Sequence, residues 1–445
     1  MQTEIFNKLI IYHNIAILGF GKEGKSTYNF IRKNDKNMKL TILDSQEINL
    51  DDPNVTYKKY DNKLEDLLEY DLIIKSPGIS FKDIDIAPIK YKITSQIELL
   101  LEVNRENIIG VTGTKGKSTT SSLIYQIFKD QGKKVFLVGN IGVPVLDEID
   151  QYEDAVIVAE MSSHQLEFVQ YSPHIGVLLN LFEDHLDHAG SVKHYHECKM
   201  HILDYLTDND YGIIDIDNEY INKEIIFHDK SNILTVSLEK QANAYLNNNI
   251  IYLGNEEIKK EDIVTSLQGN HNLKNIMFAL LVAKIYNLDL QKAIKTINNF
   301  KPLEHRMELV GTINNITFYD DAIATIPEAT INACQSLKMV NTLIFGGMDR
   351  GIDYSKLIEY LKNSDIEHFI CMPTTGYELS EHLPSDRVYR AETLEEAVEL
   401  AFELTKKNTI CLLSPAASSY EQFKNFEEKG NHYQELIRNY NKIDI

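Results

Sequence analysis

The stretch Gly110-Val-Thr-Gly-Thr-Lys-Gly-Lys-Ser-Thr-Thr120 has the residue types for chemistry on phosphate. Gly113 and Gly116 free backbone N–H groups to close round phosphate oxygens, and a helix opening at Lys117 adds its positive end. Lys117 can then reach the terminal phosphates of ATP and Ser118 can hold Mg²⁺, with Thr114 and Thr119 in the same turn. The spacing is a shortened variant of the usual phosphate loop, because Val111 stands where the first glycine belongs. The plain alternative is a glycine-rich turn with an incidental Lys-Ser. The apolar strand before it and the helix after it favour the nucleotide.

Other residues could serve the same reaction. Glu160 closes the apolar run AVIVAE, where a Walker-B-type carboxylate would approach the Mg²⁺ of Ser118. By itself such an acid is ordinarily solvated at a sheet edge. The segment Asn180 to Gly190 gathers acids and two imidazoles that suit Mg²⁺ or Mn²⁺ better than zinc, or simply form a charged helix start. Lys199, on a predicted helix in YHECKMHI, reads by spacing as a solvated surface lysine.

A second glycine signal, Gly19-Phe-Gly21-Lys-Glu-Gly24, lies between the apolar run IAIL and a helical pattern, and Asp44 ends the next apolar run. Alone this is a dinucleotide fingerprint, with Asp44 placed for a ribose hydroxyl, and it predicts an NAD-dependent oxidoreductase. Two nucleotide loops in one chain are better explained by two bound nucleotides, one consumed and one a handle. A titration with NADH separates these readings.

These loops need sheets to hold them. Apolar runs at Ile15–Leu18, Leu40–Leu43 and Leu72–Ile74 alternate with amphipathic stretches at Lys25–Lys33 and Leu64–Leu68, the pattern of βαβ units on a parallel sheet. A second α/β series starts at Asn107 and includes Val135–Gly139 and Ala155–Glu160. A third follows Pro302, with Ile316–Asp321, Thr342–Gly347 and Thr409–Pro415. We therefore expect an α/β protein of three domains, each a mostly parallel sheet with flanking helices: residues 1–102 Rossmann-like, 103–300 like a phosphate-loop ATPase, and 301–445 Rossmann-like again. A chain of 445 residues is too long for one ordinary core.

The bulk numbers narrow the function. With 43% hydrophobic and 25% charged residues the chain reads as globular. A formal net charge of -21 predicts no binding to nucleic acid or an anionic membrane surface. Cys198, Cys334, Cys371 and Cys411 lie far apart without a CxxC pair, which implies a reducing compartment. The first residues are broken by Glu4, Asn7 and Lys8 and show neither a signal peptide nor a membrane span, so a cytoplasmic location is expected.

Gly113-Thr-Lys-Gly-Lys-Ser-Thr119, Glu160-Met-Ser-Ser-His-Gln-Leu-Glu167, Asn180 with Asp184-His-Leu-Asp187, Gly269-Asn-His-Asn-Leu-Lys-Asn275, His305-Arg-Met-Glu308 and the run Leu413 to Phe423 occur in an order that resembles the Mur ligases. The likeness spans all three expected domains. It implies an ATP-dependent ligase that activates the carboxylate of UDP-N-acetylmuramoyl-L-alanine as an acyl phosphate and joins it to glutamate, acting as a monomer in peptidoglycan precursor synthesis.

The resemblance also implies roles for particular residues. Glu160 shares the first metal ion with Ser118, and His185 with a carbamylated Lys199 holds a second, making Lys117, His185 and Lys199 the catalytic set. Asn272, Asn275, Arg306 and Asp321 contact ATP, while Asn140, Ser163 and Gln165 contact the muramoyl part. Gly19, Gly21, Asp44 and Ser76-Pro77-Gly78 take the uridine nucleotide, and Thr325, Ser419 and Phe426 take the amino acid.

One departure bears on the amino acid. Where glutamate-adding members carry Asp-Ser-Lys-Ala-Thr-Asn, this chain reads Asp321-Ala-Ile-Ala-Thr-Ile326, so Ile323 replaces a lysine that would pair with a carboxylate. An L-glutamate-adding variant therefore stays open beside the D-glutamate reading, as does a non-catalytic nucleotide sensor. Lys301, Lys424 and Arg350 are candidates for the replacement cation. Pro302 marks the expected joint, near 300–303, about which the third domain would close over the second.

Overall fold

The computed structural model describes residues 1–140, 143–182, 190–225, 232–267, 269–301, 304–325, 327–337, 339–349 and 354–440. The chain divides into two compact units, Met1–Phe300 and Lys301–Ile445.

Among the described residues the first unit carries two sheets. Strands β1 (Ile15–Leu18), β2 (Leu40–Asp44), β3 (Val55–Lys59), β4 (Leu72–Lys75) and β5 (Ile93–Thr94) pair in the order β3-β2-β1-β4-β5, all parallel. β1 and β4 are buried along their whole length, as central strands covered by helices on both faces must be, and this is why they read as unbroken apolar runs. Strand order reverses between β1 and β4, and the loops leaving them are Gly19–Gly24 and Ser76–Gly78. A crevice at such a reversal, beyond the carboxyl ends of the strands, is where open α/β sheets take ligands.

The second sheet contains β6 (Ile108–Thr112), β7 (Val135–Gly139), β8 (Val156–Glu160), β9 (Ile175–Leu178), β10 (Tyr211–Asp215), β11 (Ile233–Ser237), β12 (Ala244–Asn247), β13 (Ile250–Leu253) and β14 (Glu256–Lys259). Among the described residues its order is β14-β13-β12-β11-β10-β9-β6-β8-β7, parallel except at β12-β13 and β13-β14. β6 lies between β9 and β8, so the phosphate loop leaves the sheet at its own reversal of order. The helix Lys117–Asp130 that follows buries Leu123, Ile124, Ile127 and Phe128 completely. At roughly 1.5–3 kcal/mol for each such side chain, this face anchors the loop's downstream end.

The helix Gln96–Asn104, in which the expected boundary at 102 falls, joins the two sheets. One apolar cluster runs from Ile5 through Leu100 and Ile108 to Ile221, so both sheets pack on shared side chains.

The second unit has β15 (Glu308–Ile313), β16 (Ile316–Asp320), β17 (Val340–Gly347), β18 (His368–Thr374), β19 (Val388–Arg390) and β20 (Ile410–Leu413), in the order β15-β16-β20-β17-β18-β19. Only β15-β16 is antiparallel among the described pairs. Two clusters, one around Phe318, Ile344 and Tyr433 and one around Phe345, Leu357 and Phe369, close its two faces.

Two local features differ from the sequence reading. Leu64–Leu67 is a single 3₁₀ turn that buries only Leu67, too short a stretch to sustain an α-helix. The meander β12–β14 was not read from sequence, although Asn248 and Asn249, at φ 47° and 62°, are residues that a tight hairpin turn selects. No described helix is long and apolar enough to cross a membrane.

Candidate active site

Gly113 and Gly116 adopt φ of 155° and 84°, which other residues rarely do. A side chain at Gly116 would also strike the Asn275 amide, whose Oδ1 would lie 2.6 Å from the added carbon. The loop is stapled by Asn180. Its carbonyl accepts from Thr114 N at 3.0 Å, its Oδ1 accepts from Lys115 N at 2.8 Å, and its Nδ2 donates to Lys115 O at 3.0 Å. Asn180 is a positioning residue to which the sequence assigned no role. Its place at the end of β9, beside the loop's strand, was the available signal.

Two lysines converge on one carbonyl. Lys117 Nζ donates to Gly113 O at 2.9 Å and to Thr114 O at 3.1 Å, and Lys199 Nζ donates to Gly113 O at 3.1 Å. Lys199 is 1% exposed and its Nζ lies 4.6 Å from the centre of the Tyr195 ring. It is no surface lysine: the helix Val192–Asp204 turns it inward under the phosphate loop. His185 lies outside the described residues.

Glu160, fully buried at the end of β8, pairs in register with Val111 of the loop's strand. Its Oε1 accepts from Asn140 Nδ2 at 2.7 Å, while its Oε2 is buried with no hydrogen-bond partner among the described residues. A buried carboxylate oxygen left in that state is costly and suits a cation. With the buried Ser118 hydroxyl on the neighbouring loop, the donor set is hard oxygen, the kind that holds Mg²⁺. Asn140 is thereby tied to Glu160 twice, since its N also donates to Glu160 O at 3.0 Å. Asn275, itself buried, donates to Asn272 Oδ1 at 3.1 Å, which brings both asparagines to the loop from the helix Asn270–Ile285.

The first sheet is linked to this site through Gln165. A capping box with Ser162 fixes Gln165 beside Ser163, and its Nε2 donates to Glu23 Oε1 at 2.7 Å in the first glycine loop. Burial pushes the Glu23 carboxyl above its ordinary range, and the Gln165 amide pulls it back. Glu167 adds a second link, facing Lys75 Nζ at 3.3 Å and His194 Nε2 at 3.4 Å. Neither Glu23 nor Lys75 was singled out from sequence, where each is one charged residue beside a glycine turn.

At the first loop, Phe20 N donates to Asp44 Oδ2 at 2.6 Å and Ser76 Oγ donates to Gly19 O at 2.7 Å, so Asp44 and Ser76 shape the turn. An added side-chain carbon at Gly21 or Gly78 would meet nothing within 4 Å, so the space above both glycines is open to a ligand.

In the second unit, Asp321 follows β16. Its Oδ2 accepts from Ser414 Oγ at 2.8 Å and its Oδ1 from Met307 N at 3.2 Å. Burial pushes its carboxyl up to about 7, against these bonds and the nearby Arg306 charge. Ala322 is buried while Ile323 and Thr325 are half-buried. Phe426 opens the helix Phe426–Asn439 with its ring edge-on to His305, and Ser419 is buried. Arg350, Pro302 and Leu303 lie outside the described residues.

His305, Glu308 and Asp320 are the one described group of three whose ligand atoms could surround a metal. The Gln434 amide already donates to Glu308 Oε2 and Asp320 Oδ2, each at 2.9 Å, and His305 Nδ1 pairs with Asp320 Oδ2 at 2.7 Å. The protein itself thus engages the carboxylates of this network, while His305 Nε2 is buried with no hydrogen-bond partner among the described residues.

Against known proteins, residues 111–283 match the Mur ligase middle domain and residues 305–417 match the Mur ligase, glutamate ligase domain. This chain belongs to the Mur ligase family. A relative from Clostridioides difficile, named UDP-N-acetylmuramoylalanine–D-glutamate ligase, is 31% identical over 96% of this chain and 98% of its own length. Relatives of the same name from Bacillus cereus strain ATCC 14579 and Caldanaerobacter subterraneus are 33% and 32% identical, covering 98% and 93% of each chain. Among solved structures, the fold is shared with MurF ligase from Thermotoga maritima in complex with ADP (TM-score 0.56, 16% identity, 96% and 95% coverage). It is shared as well with UDP-N-acetylmuramate-alanine ligase MurC from the same organism (TM-score 0.53, 18% identity, 96% and 99% coverage).

Proposed function

We propose that this ligase joins glutamate, D-glutamate foremost, to UDP-N-acetylmuramoyl-L-alanine at the expense of ATP. The observation that carries the reading is Glu160: a buried carboxylate with one oxygen unpartnered among the described residues, ending the strand beside a loop that holds Lys117 and Ser118. The shared name of relatives along nearly the whole chain supplies the substrates.

In this reading the loop N–H groups and Lys117 bind the ATP phosphates, with Asn272 and Asn275 beside Gly116, and the family resemblance adds Arg306 and Asp321 as ATP contacts. Ser118 and Glu160 would hold one Mg²⁺, and His185 with carbamylated Lys199 a second Mg²⁺ or Mn²⁺, supplying neutralisation of phosphoryl charge. Carbamylation leaves Lys199 one N–H for Gly113 O and converts a cation into a carboxylate-like ligand. Gly19, Gly21, Asp44 and Ser76–Gly78 bind the uridine nucleotide, and Asn140, Ser163 and Gln165 orient the muramoyl part.

The alanine carboxylate attacks the γ-phosphorus and releases ADP. The glutamate amine then attacks the acyl-phosphate carbonyl and expels phosphate, leaving an amide. Thr325, Ser419 and Phe426 hold the amino acid. Ile323, in place of a lysine, keeps L-glutamate as the second reading. Incubation with ATP, UDP-N-acetylmuramoyl-L-alanine and each glutamate enantiomer, followed by the mass of the product and a chiral assay, tests the proposal. ADP release without an amide, or no ADP release, overturns it.

A further inference from the structure

The apolar Ile323 leaves open which cation receives the side-chain carboxylate of the incoming amino acid, and the second unit holds one that the sequence conceals. Lys429, in EEKG on the helix Phe426–Asn439, is 2% exposed. Its Nζ donates to Gly346 O at 3.1 Å, and it forms no ion pair within 4 Å among the described residues. A buried ammonium with one neutral acceptor is costly. Burial pushes its pKa down to about 8, with Asp320 pulling the other way.

Lys429 borders a small cleft with Gly346, Gly347, Gln422, Phe423 and Ser419. Its free volume of about 10 Å³ suits one water-sized group, the size of a carboxylate oxygen. Ser419, which lines the same cleft, is 5% exposed, and its Oγ has no hydrogen-bond partner among the described residues. An unpartnered hydroxyl and an unpaired ammonium at one cleft are a donor pair lacking an anionic acceptor. Glu421, which also borders the cleft, is exposed and takes its own bonds from Thr374 Oγ1 at 3.0 and 2.8 Å.

We propose that Lys429 and Ser419 together bind the side-chain carboxylate of a dicarboxylic amino acid, so that Lys429 sets specificity in place of the lysine absent at Ile323. This rests on the function proposed above. Lys429 was hidden from the sequence reading because a lysine between two glutamates and a glycine looks like a solvated helix face.

The test compares wild type with Lys429→Met and Lys429→Arg, measuring KM for glutamate, for the muramoyl substrate and for ATP, the ratio of glutamate to glutamine ligation, and the melting temperature. Loss of a charge-assisted contact predicts a rise of roughly 10- to 100-fold in the glutamate KM of K429M. The other two KM values should stay within about twofold, and the glutamate-to-glutamine ratio should collapse. K429R should keep most of that ratio. K429M should melt no lower than wild type, because an unpaired buried charge is removed. An unchanged glutamate KM and ratio in K429M overturns the assignment, as does a K429M that fails to fold while K429R loses no discrimination. A wild type that ligates no glutamate overturns the underlying function and this site with it, and is recognised without any variant.

Discussion

Glu160 and Asp321 are both buried acids, yet their surroundings predict opposite behaviour. Glu160 accepts one hydrogen bond from Asn140 and leaves Oε2 to a cation. Glu160→Gln should therefore fold, and melt near or above wild type in the absence of metal, while ligation falls by roughly 100-fold or more. Mg²⁺ should raise the melting temperature of wild type in the presence of ATP and leave the variant's unmoved. Equal Mg²⁺ stabilisation of both would remove Glu160 from the metal site. Asp321 takes bonds from Ser414 and Met307, and burial raises its carboxyl to about 7, against those bonds and the Arg306 charge and above the unfolded value near 3.9. Between those values the folded state binds the extra proton, so the contribution to stability is present below about pH 4 and is lost as pH climbs towards 7. Asp321→Asn should remove that dependence. In melts from pH 4 to 8, the variant should match wild type at the acid end and exceed it at the alkaline end, and parallel curves would refute the raised value. Lys199→Ala should abolish ligation and regain part of it with added short carboxylates. A variant as active as wild type would end the carbamate reading.

At the scale of elements, the sequence revealed what burial imposes on strands and concealed what packing does to helices. β1, β4, β6 and β8 are covered on both faces, so they stand out as apolar runs, and the glycine loops follow from them. Lys199 and Lys429 sit on amphipathic helices whose inward face includes one polar residue, and spacing cannot separate such a lysine from a solvated one. The staple by Asn180 and the link from Gln165 to Glu23 join residues distant in sequence, and only the assembled sheets bring them together. The same helix packing predicts an effect at Gly430. A methyl group there would lie 2.1 Å from His305 Nδ1, and His305 is fixed by Asp320 and 1% exposed. Alanine gains up to about 1 kcal/mol of helix propensity, against about 1–3 kcal/mol for overpacking a fixed neighbour. Gly430→Ala should thus be a net loss of roughly 1–2 kcal/mol, measured by denaturant unfolding, and a stabilised variant would show that His305 can yield.

For the whole molecule, the division after Phe300 makes a further demand on that variant. The apolar clusters around Ile17, Leu100 and Ile157 and around Val111 and Phe278 belong to the first unit, and those around Phe318 and Phe345 belong to the second. Units that close separate cores unfold as separate cooperative blocks unless their interface couples them. Calorimetry of the ligand-free protein should therefore resolve two transitions. Gly430→Ala should lower only one of them, by about 2–4 °C for each kcal/mol lost. Replacing Gly24, where an added carbon would lie 2.1 Å from Gly19 O, should lower only the other. The two sheets of the first unit share the cluster that includes Leu100 and Ile108, so they should melt together, and the Gly24 variant should weaken the phosphate-loop sheet along with its own. If both variants shift a single transition, the two units are thermodynamically one body, and the boundary at Phe300 marks a geometric division without an energetic one.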